Sequence, residues 1–204
     1  MITRVFRHAA FATLCTSALV AGCGKGDKAS DSAKVADSAA AAAAAAPAPA
    51  ATAPAMTDGN ILAKLDADNV ADSSGGAMAA AKGTSASVKE FGKMMEKDHH
   101  MMHADVMALA KKLNVTMQMP ANDPDSAAAK AAADTMASTP KGADWDKWYI
   151  NHAVTDHEAV LKFAQDAQNA TQNADLKAAI QKAAPVVQKH LDKAKAIQSK
   201  LGAM

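Results

Sequence analysis

The chain has 204 residues, half of them hydrophobic but only 3% aromatic, with 22 Lys and Arg set against 21 Asp and Glu. A near-neutral charge with arginine confined to Arg4 and Arg7 excludes a nucleic-acid binder, which needs a basic surplus. Two cysteines, Cys15 and Cys23, supply neither a disulfide framework nor a zinc ribbon, so the fold stands on packing alone.

The N-terminus reads as an export signal. Arg4 and Arg7 form a short basic region, and Ala9 to Ala21 is apolar but too short for a permanent membrane span. Val20-Ala21-Gly22-Cys23 then resembles a bacterial lipobox, which makes residues 1–22 a signal peptide and Cys23 the lipidated first residue of the mature chain. Cys15 leaves with the signal. The expected location is the cell envelope, facing the periplasm and held to the membrane through Cys23. Gly24, rather than Asp, after the cysteine resembles lipoproteins sorted to the outer membrane rather than the inner one. No later stretch is apolar enough to cross a bilayer.

Residues 23–56 are Ala, Ser, Asp, Lys and Pro, with an unbroken alanine run from Ala39 to Ala46 ended by Pro47, Pro49 and Pro54. Such a segment has no apolar bulk to bury and reads as a disordered tether. At about 3.1 Å per residue it extends on the order of 100 Å from the lipid surface.

Residues 57–204 are the size of one domain, and their Ala, Lys, Met, Leu and Gln content predicts an all-α fold. The first helix begins at Thr57-Asp58 and places Ile61, Leu65, Asp68, Asp72, Gly75 and Ala79 on one stripe. Ser73-Ser74-Gly75-Gly76 should loosen it, since glycine costs about 1 kcal/mol relative to alanine in a helix. The second carries Val88, Phe91, Met95, His99, Met102, Val106, Leu109 and Leu113, with Ser85 or Ser87 as cap and Asn114 as stop. The third spans about 143–168, with Ile150, Val154, His157, Leu161 and Ala164 inward. Trp145, Trp148 and Tyr149 lock its start. The fourth runs from Asp175 through Leu176, Ile180, Ala183, Val187, His190, Ala194, Ile197 and Leu201, an unbroken a/d pattern that Pro185 should kink.

Short links near Gly83 and near 169–173 predict two antiparallel hairpins. About 28 residues separate the second and third helices, with a short helix expected over 125–136. Two hairpins joined by one long crossover make a ferritin-like four-helix bundle.

The segment MMEKDHHMMH, residues 94–103, looks like a metal-binding cluster, but helical periodicity splits it. His99, Met95 and Met102 face the core, His103 flanks that face, and His100 and Lys97 face solvent. Met95, Met101, Met102 and Met107 read as core filler. The informative pattern is instead one histidine near the middle of each of three stripes: His99, His157 and His190. At 1.5 Å per residue their offsets along the helices differ by about 5 Å, so the three imidazoles should meet at one level, with Asp68 and Asp72 nearest on the first helix. His99, His157, His190 and Asp72 form a plausible ligand set for Zn, Cu, Fe or Mn, with Asp98, Asp156 and His103 as supporting partners. The alternative is that the histidines satisfy one another and nearby carboxylates as ordinary buried polar groups.

Val88-Lys89-Glu90-Phe91-Gly92 with Asp98-His99, Trp145-Asp146 with Tyr149-Ile150, His157-Glu158-Ala159-Val160, and Pro185 with His190-Leu191 resemble the bacterial family called domain of unknown function 4142. The resemblance covers about residues 57–201. It implies an exported ferritin-like bundle without an established activity, whose inward histidines correspond to His99, His157 and His190 and whose first-helix Glu corresponds to Asp72. A di-iron oxidase is disfavoured, because Glu96 alone stands three residues before a histidine, while Val154 and Val187 hold the matching places. No Ser-His-Asp set, phosphate loop or reactive cysteine is present, so an enzyme is not expected. The expectation is a lipid-anchored metal-binding bundle. Its rivals are a metal-free structural or stress-related interaction module and a pH-responsive element built on a buried histidine.

Overall fold

The structure, a computed structural model, describes residues 56–120 and 123–202, except the side chain of Pro124. The signal, Cys23 and nearly all of the tether lie outside the described residues. Five helices follow in order: α1 (Asp58–Lys82), α2 (Ala86–Leu113), α3 (Pro124–Ser138), α4 (Ala143–Ala170) and α5 (Ala174–Gly202). The boundaries have local causes. Thr57 and Asn60 form a reciprocal capping box at the start of α1. Asn114 ends α2 in the left-handed conformation, at φ 51°. Asp123 caps α3 through the Ser126 amide, with Pro124 in the first turn, where its missing N–H costs nothing. Pro185 sits within α5 with its side chain exposed and does not end the helix.

Two polar ties set the topology. Asp146, buried in the first turn of α4, accepts hydrogen bonds from the Thr84 and Ser85 amides and the Thr84 hydroxyl in the α1–α2 turn. At the opposite end the Thr171 hydroxyl, just after α4, donates to Asp58 at 2.5 Å. The helices α2 and α4 therefore start at the same end and run parallel, α1 and α5 oppose them, and α3 carries the chain back along the bundle. This is the ferritin-like arrangement. The main packing partners are α1 with α2 and α4 with α5, closed by α2 against α5.

The core has two apolar ends. One joins Phe91, Met95, Trp145, Tyr149, Ile150, Leu191 and Ile197, with Trp145 stacked on Tyr149 and donating from Nε1 to the Met136 carbonyl of α3. The other joins Ile61, Leu62, Ala164, Leu176 and Ile180. Each large apolar side chain removed from water contributes roughly 1.5–3 kcal/mol. His99, His157 and His190 lie along the chain between residues of the two ends.

Four expectations are corrected. The Ser73–Gly76 stretch does not loosen α1, which is continuous. Gly76 and Gly92 instead let α1 and α2 approach backbone to backbone: a Cβ built on Gly76 would lie 2.6 Å from the Gly92 carbonyl oxygen. The inner stripe of α1 is displaced in its middle: Ile61, Gly75 and Ala79 are buried as expected, but Leu62 and Asn69 are buried while Leu65, Asp68 and Asp72 are only partly so. Ser85 makes no capping bond from its side chain, because Asp146 reaches the start of α2 from another helix. Met101 and Met107 are 50% and 45% exposed and fill no core, since α2 has one buried face and both point away from it.

Candidate metal centre

Each of the three histidines occupies a core position of its own helix, α2, α4 or α5, so folding the bundle is what brings them together. They are among its most enclosed residues, with His99 2% exposed, His157 1% and His190 0%. Their ring centroids are 5.5, 5.0 and 5.6 Å apart, nearly an equilateral triangle. Each offers a ring nitrogen to a group whose ligand atoms all lie within 4.8 Å of one another.

The surrounding hydrogen bonds orient two of the rings. Asn69 donates from Nδ2 to the Leu65 carbonyl at 2.7 Å, which turns its Oδ1 toward His99 Nδ1 at 2.9 Å. An amide oxygen only accepts, so His99 carries its proton on Nδ1 and presents the Nε2 lone pair. At the other end Asp98 Oδ2 lies 3.0 Å from His190 Nε2. A carboxylate likewise only accepts, so the neutral His190 is protonated on Nε2 and presents the Nδ1 lone pair. These two bare nitrogens, His99 Nε2 and His190 Nδ1, face each other at 3.2 Å. The four-residue chain therefore lacks one proton between neutral rings, a place that a proton or a metal ion can fill. A zinc ion with Zn–N bonds of about 2.0–2.1 Å and tetrahedral angles separates two nitrogens by about 3.3–3.4 Å, close to the observed spacing.

Burial disfavours the proton. Loss of hydration pushes His99 down to about 2, with His157 and His190 adding to the effect. It pushes His157 down to about 4 and lowers His190 as well, the last opposed by Asp98. Neutral imidazoles are the form that ligates metals. His157 has no hydrogen-bond partner for either ring nitrogen among the described residues, which leaves a buried donor and acceptor unsatisfied.

The carboxylates fall into two groups. Asp98 contacts the site histidine of another helix, His190 of α5. His103 pairs with Asp66 at 2.7 Å and takes no part in the centre, because it lies one turn further along α2 and faces α1. His100 is exposed. Asp72 Oδ2 is 3.5 Å from His99 Nε2, and Asp72 also groups with Asp156 and His157. Burial raises Asp72 and Asp156 above the usual carboxylate range and Asp68 to about 6. Asp68, Asp72 and Asp156 line a cavity of about 640 Å³ between α1, α3 and α4. Asn69 was not anticipated. Its signal was an amide seven residues before Gly76 on the inner stripe of α1, in a helix interior where asparagine has no local advantage.

Two helical hairpins, a crossover helix and a layer of inward histidines define a ferritin-like bundle with a candidate metal centre in its core. The chain belongs to the family described as Domain of unknown function (DUF4142), whose model matches residues 39–197 and so begins within the alanine run. The fold is similar to the crystal structure of a DUF305 fragment from Deinococcus radiodurans, with a TM-score of 0.61 at 9% identity, covering 74% of this chain and 100% of that one. No curated protein sequence matches the chain.

Proposed function

We propose that this protein is a lipid-anchored cell-envelope bundle that binds one transition-metal ion through His99, His157 and His190, as a carrier or buffer rather than a catalyst. The observation that carries the reading is the 3.2 Å gap between His99 Nε2 and His190 Nδ1, whose outer nitrogens are committed to Asn69 and Asp98. Three neutral imidazoles suit zinc or copper better than manganese, which prefers oxygen. The anchor rests on Val20-Ala21-Gly22-Cys23, and the tether after it would hold the bundle clear of the outer membrane.

Equilibrium dialysis with elemental analysis tests the metal. One zinc or copper per chain, lost in His157→Ala, supports the reading; less than about 0.2 per chain, unchanged in that variant, removes it. Zinc at 100 times its Kd should add about 2.7 kcal/mol of stability. Incorporation of labelled palmitate, abolished in Cys23→Ser, tests the anchor.

The rival is a metal-free interaction module. It is favoured by the fact that His99 and His190 already bond Asn69 and Asp98. It leaves the unpartnered His157 unexplained, and it predicts a melting temperature indifferent to zinc, copper, nickel, iron and manganese.

A further inference from the structure

Asp72 of α1 and Asp156 of α4 bring carboxylate oxygens to within 4.8 Å of each other and of a His157 ring nitrogen. No lysine or arginine among the described residues lies within 4 Å of either carboxylate. Their nearest basic side chains are the neutral imidazoles of His99 at 3.5 Å and His157 at 3.9 Å. Among the described residues no hydrogen bond reaches either side chain, although Asp68 beside them is held by Lys64. Two partly buried acids without a counter-cation stand against a fully buried histidine whose two nitrogens are both unpartnered. Both acids line the cavity under α3, with His157 behind them.

We infer that Asp72, Asp156 and His157 form a second cation seat, rich in oxygen and open to that cavity, that takes a hard divalent ion such as Mn(II). Metal–oxygen bonds of about 2.1–2.3 Å, between those of magnesium and calcium, place trans ligand atoms about 4.2–4.6 Å apart and cis ones about 3.0–3.3 Å, so at least two of the three pairs close to cis spacing from distances of up to 4.8 Å by side-chain rotation. Carboxylate and water ligands favour manganese where imidazole favours zinc or copper. The cavity of about 640 Å³ has room for the waters that complete an octahedral shell, at about 30 Å³ each. The inference rests on the three-histidine reading in one respect: the seats share His157. A neutral imidazole has a single lone pair, so His157 serves one seat at a time and the two ions exclude each other.

The test uses the full chain, freed of metal, with free Mn(II) followed by its electron paramagnetic resonance signal. One Mn(II) per chain should bind and be released by one equivalent of zinc. The isosteric variants Asp156→Asn and Asp72→Asn should each weaken Mn(II) by at least about tenfold. Asp156→Asn should hold zinc within about threefold of wild type. The double variant His99→Gln, His190→Gln should lose zinc and keep Mn(II). Failure to bind Mn(II), wild-type Mn(II) affinity in both Asn variants, or simultaneous binding of Mn(II) and zinc would overturn the second seat. Failure of the wild-type chain to bind zinc, with Mn(II) binding intact, would overturn the three-histidine reading and leave this seat standing.

Discussion

Gly76 of α1 and Gly92 of α2 meet where the two helices pack backbone against backbone. A Cβ on Gly76 would stand 2.5 Å from the Glu96 amide nitrogen and 2.6 Å from the Gly92 carbonyl, and one on Gly92 would stand 2.6 Å from the Gly76 carbonyl. The obstacles are backbone atoms, which cannot swing aside. Gly76→Ala and Gly92→Ala should therefore each destabilise the bundle by about 1–3 kcal/mol despite the better helix propensity of alanine. That lowers Tm by roughly 2–12 °C for a domain of this size. Gly202, with nothing within 4 Å of its Cβ position, is the control, and Gly202→Ala should leave Tm unchanged. Equal melting of all three variants in thermal circular dichroism would contradict the close approach.

Asp146 ties the start of α4 to the α1–α2 turn, and its removal leaves three donors without their acceptor. Asp146→Ala should cost about 2–3 kcal/mol, the worth of hydrogen bonds to a buried charge. Exchange of the Ser85 amide hydrogen should accelerate before global unfolding. Unchanged exchange there would show that the turn holds itself.

Asn69 and Asp98 touch His99 and His190 from outside and fix which nitrogen faces inward. Asn69→Ala and Asp98→Asn should each weaken zinc about 10- to 100-fold while leaving the stoichiometry at one. His100→Gln, exposed on the outer face of α2, should change nothing. A competition titration against a chromophoric chelator reads all three. Equal affinities would mean that the hydrogen-bond chain does not set the tautomers.

The acid stability of the metal-free chain follows from the depressed histidines. In the folded state His157 stays neutral down to about 4, whereas unfolded it takes a proton near 6.5. Below 6.5 the unfolded state thus binds more protons, so the stability contributed by neutral His157 is complete above that pH and is lost as pH falls toward 4. Asp68 acts the other way. Raised to about 6 from 3.8, it keeps its proton when folded, and its share of stability is lost as pH rises through 6. The difference between wild type and His157→Gln removes Asp68 to a first approximation. Wild type should lose several degrees of Tm relative to the variant between pH 7 and 4.5, with parallel behaviour above pH 7. Parallel profiles throughout would show that His157 titrates normally.

Helix positions were legible because local periodicity dictates them. The a/d pattern of α5, the Thr57 cap and the Asn114 stop need no distant residue, and the structure shows each of them. The common level of His99, His157 and His190 was legible too, because each lies near the middle of a helix and midpoints coincide in any bundle. The inner face of α1 was legible only in part. Ile61, Gly75 and Ala79 are buried as expected, but the burial of Leu62, Asn69 and Gly76 is chosen by how closely α2 can approach, and glycine counts as a helix breaker until a partner backbone fills the space beside it.

By itself, the order of residues determined that this chain would be a helical bundle with two hairpins, a long crossover and a histidine on each of three inner faces, because apolar spacing and chain length settle those locally. Only the tertiary structure decided what surrounds the rings. Asn69 reaches His99 and Asp98 reaches His190 across separate helices, Asp156 groups with Asp72 of α1, and His157 is left with no partner among the described residues. The reason is physical: a hydrogen bond across 3 Å depends on the rotation of one helix about its axis against another, which no single helix encodes.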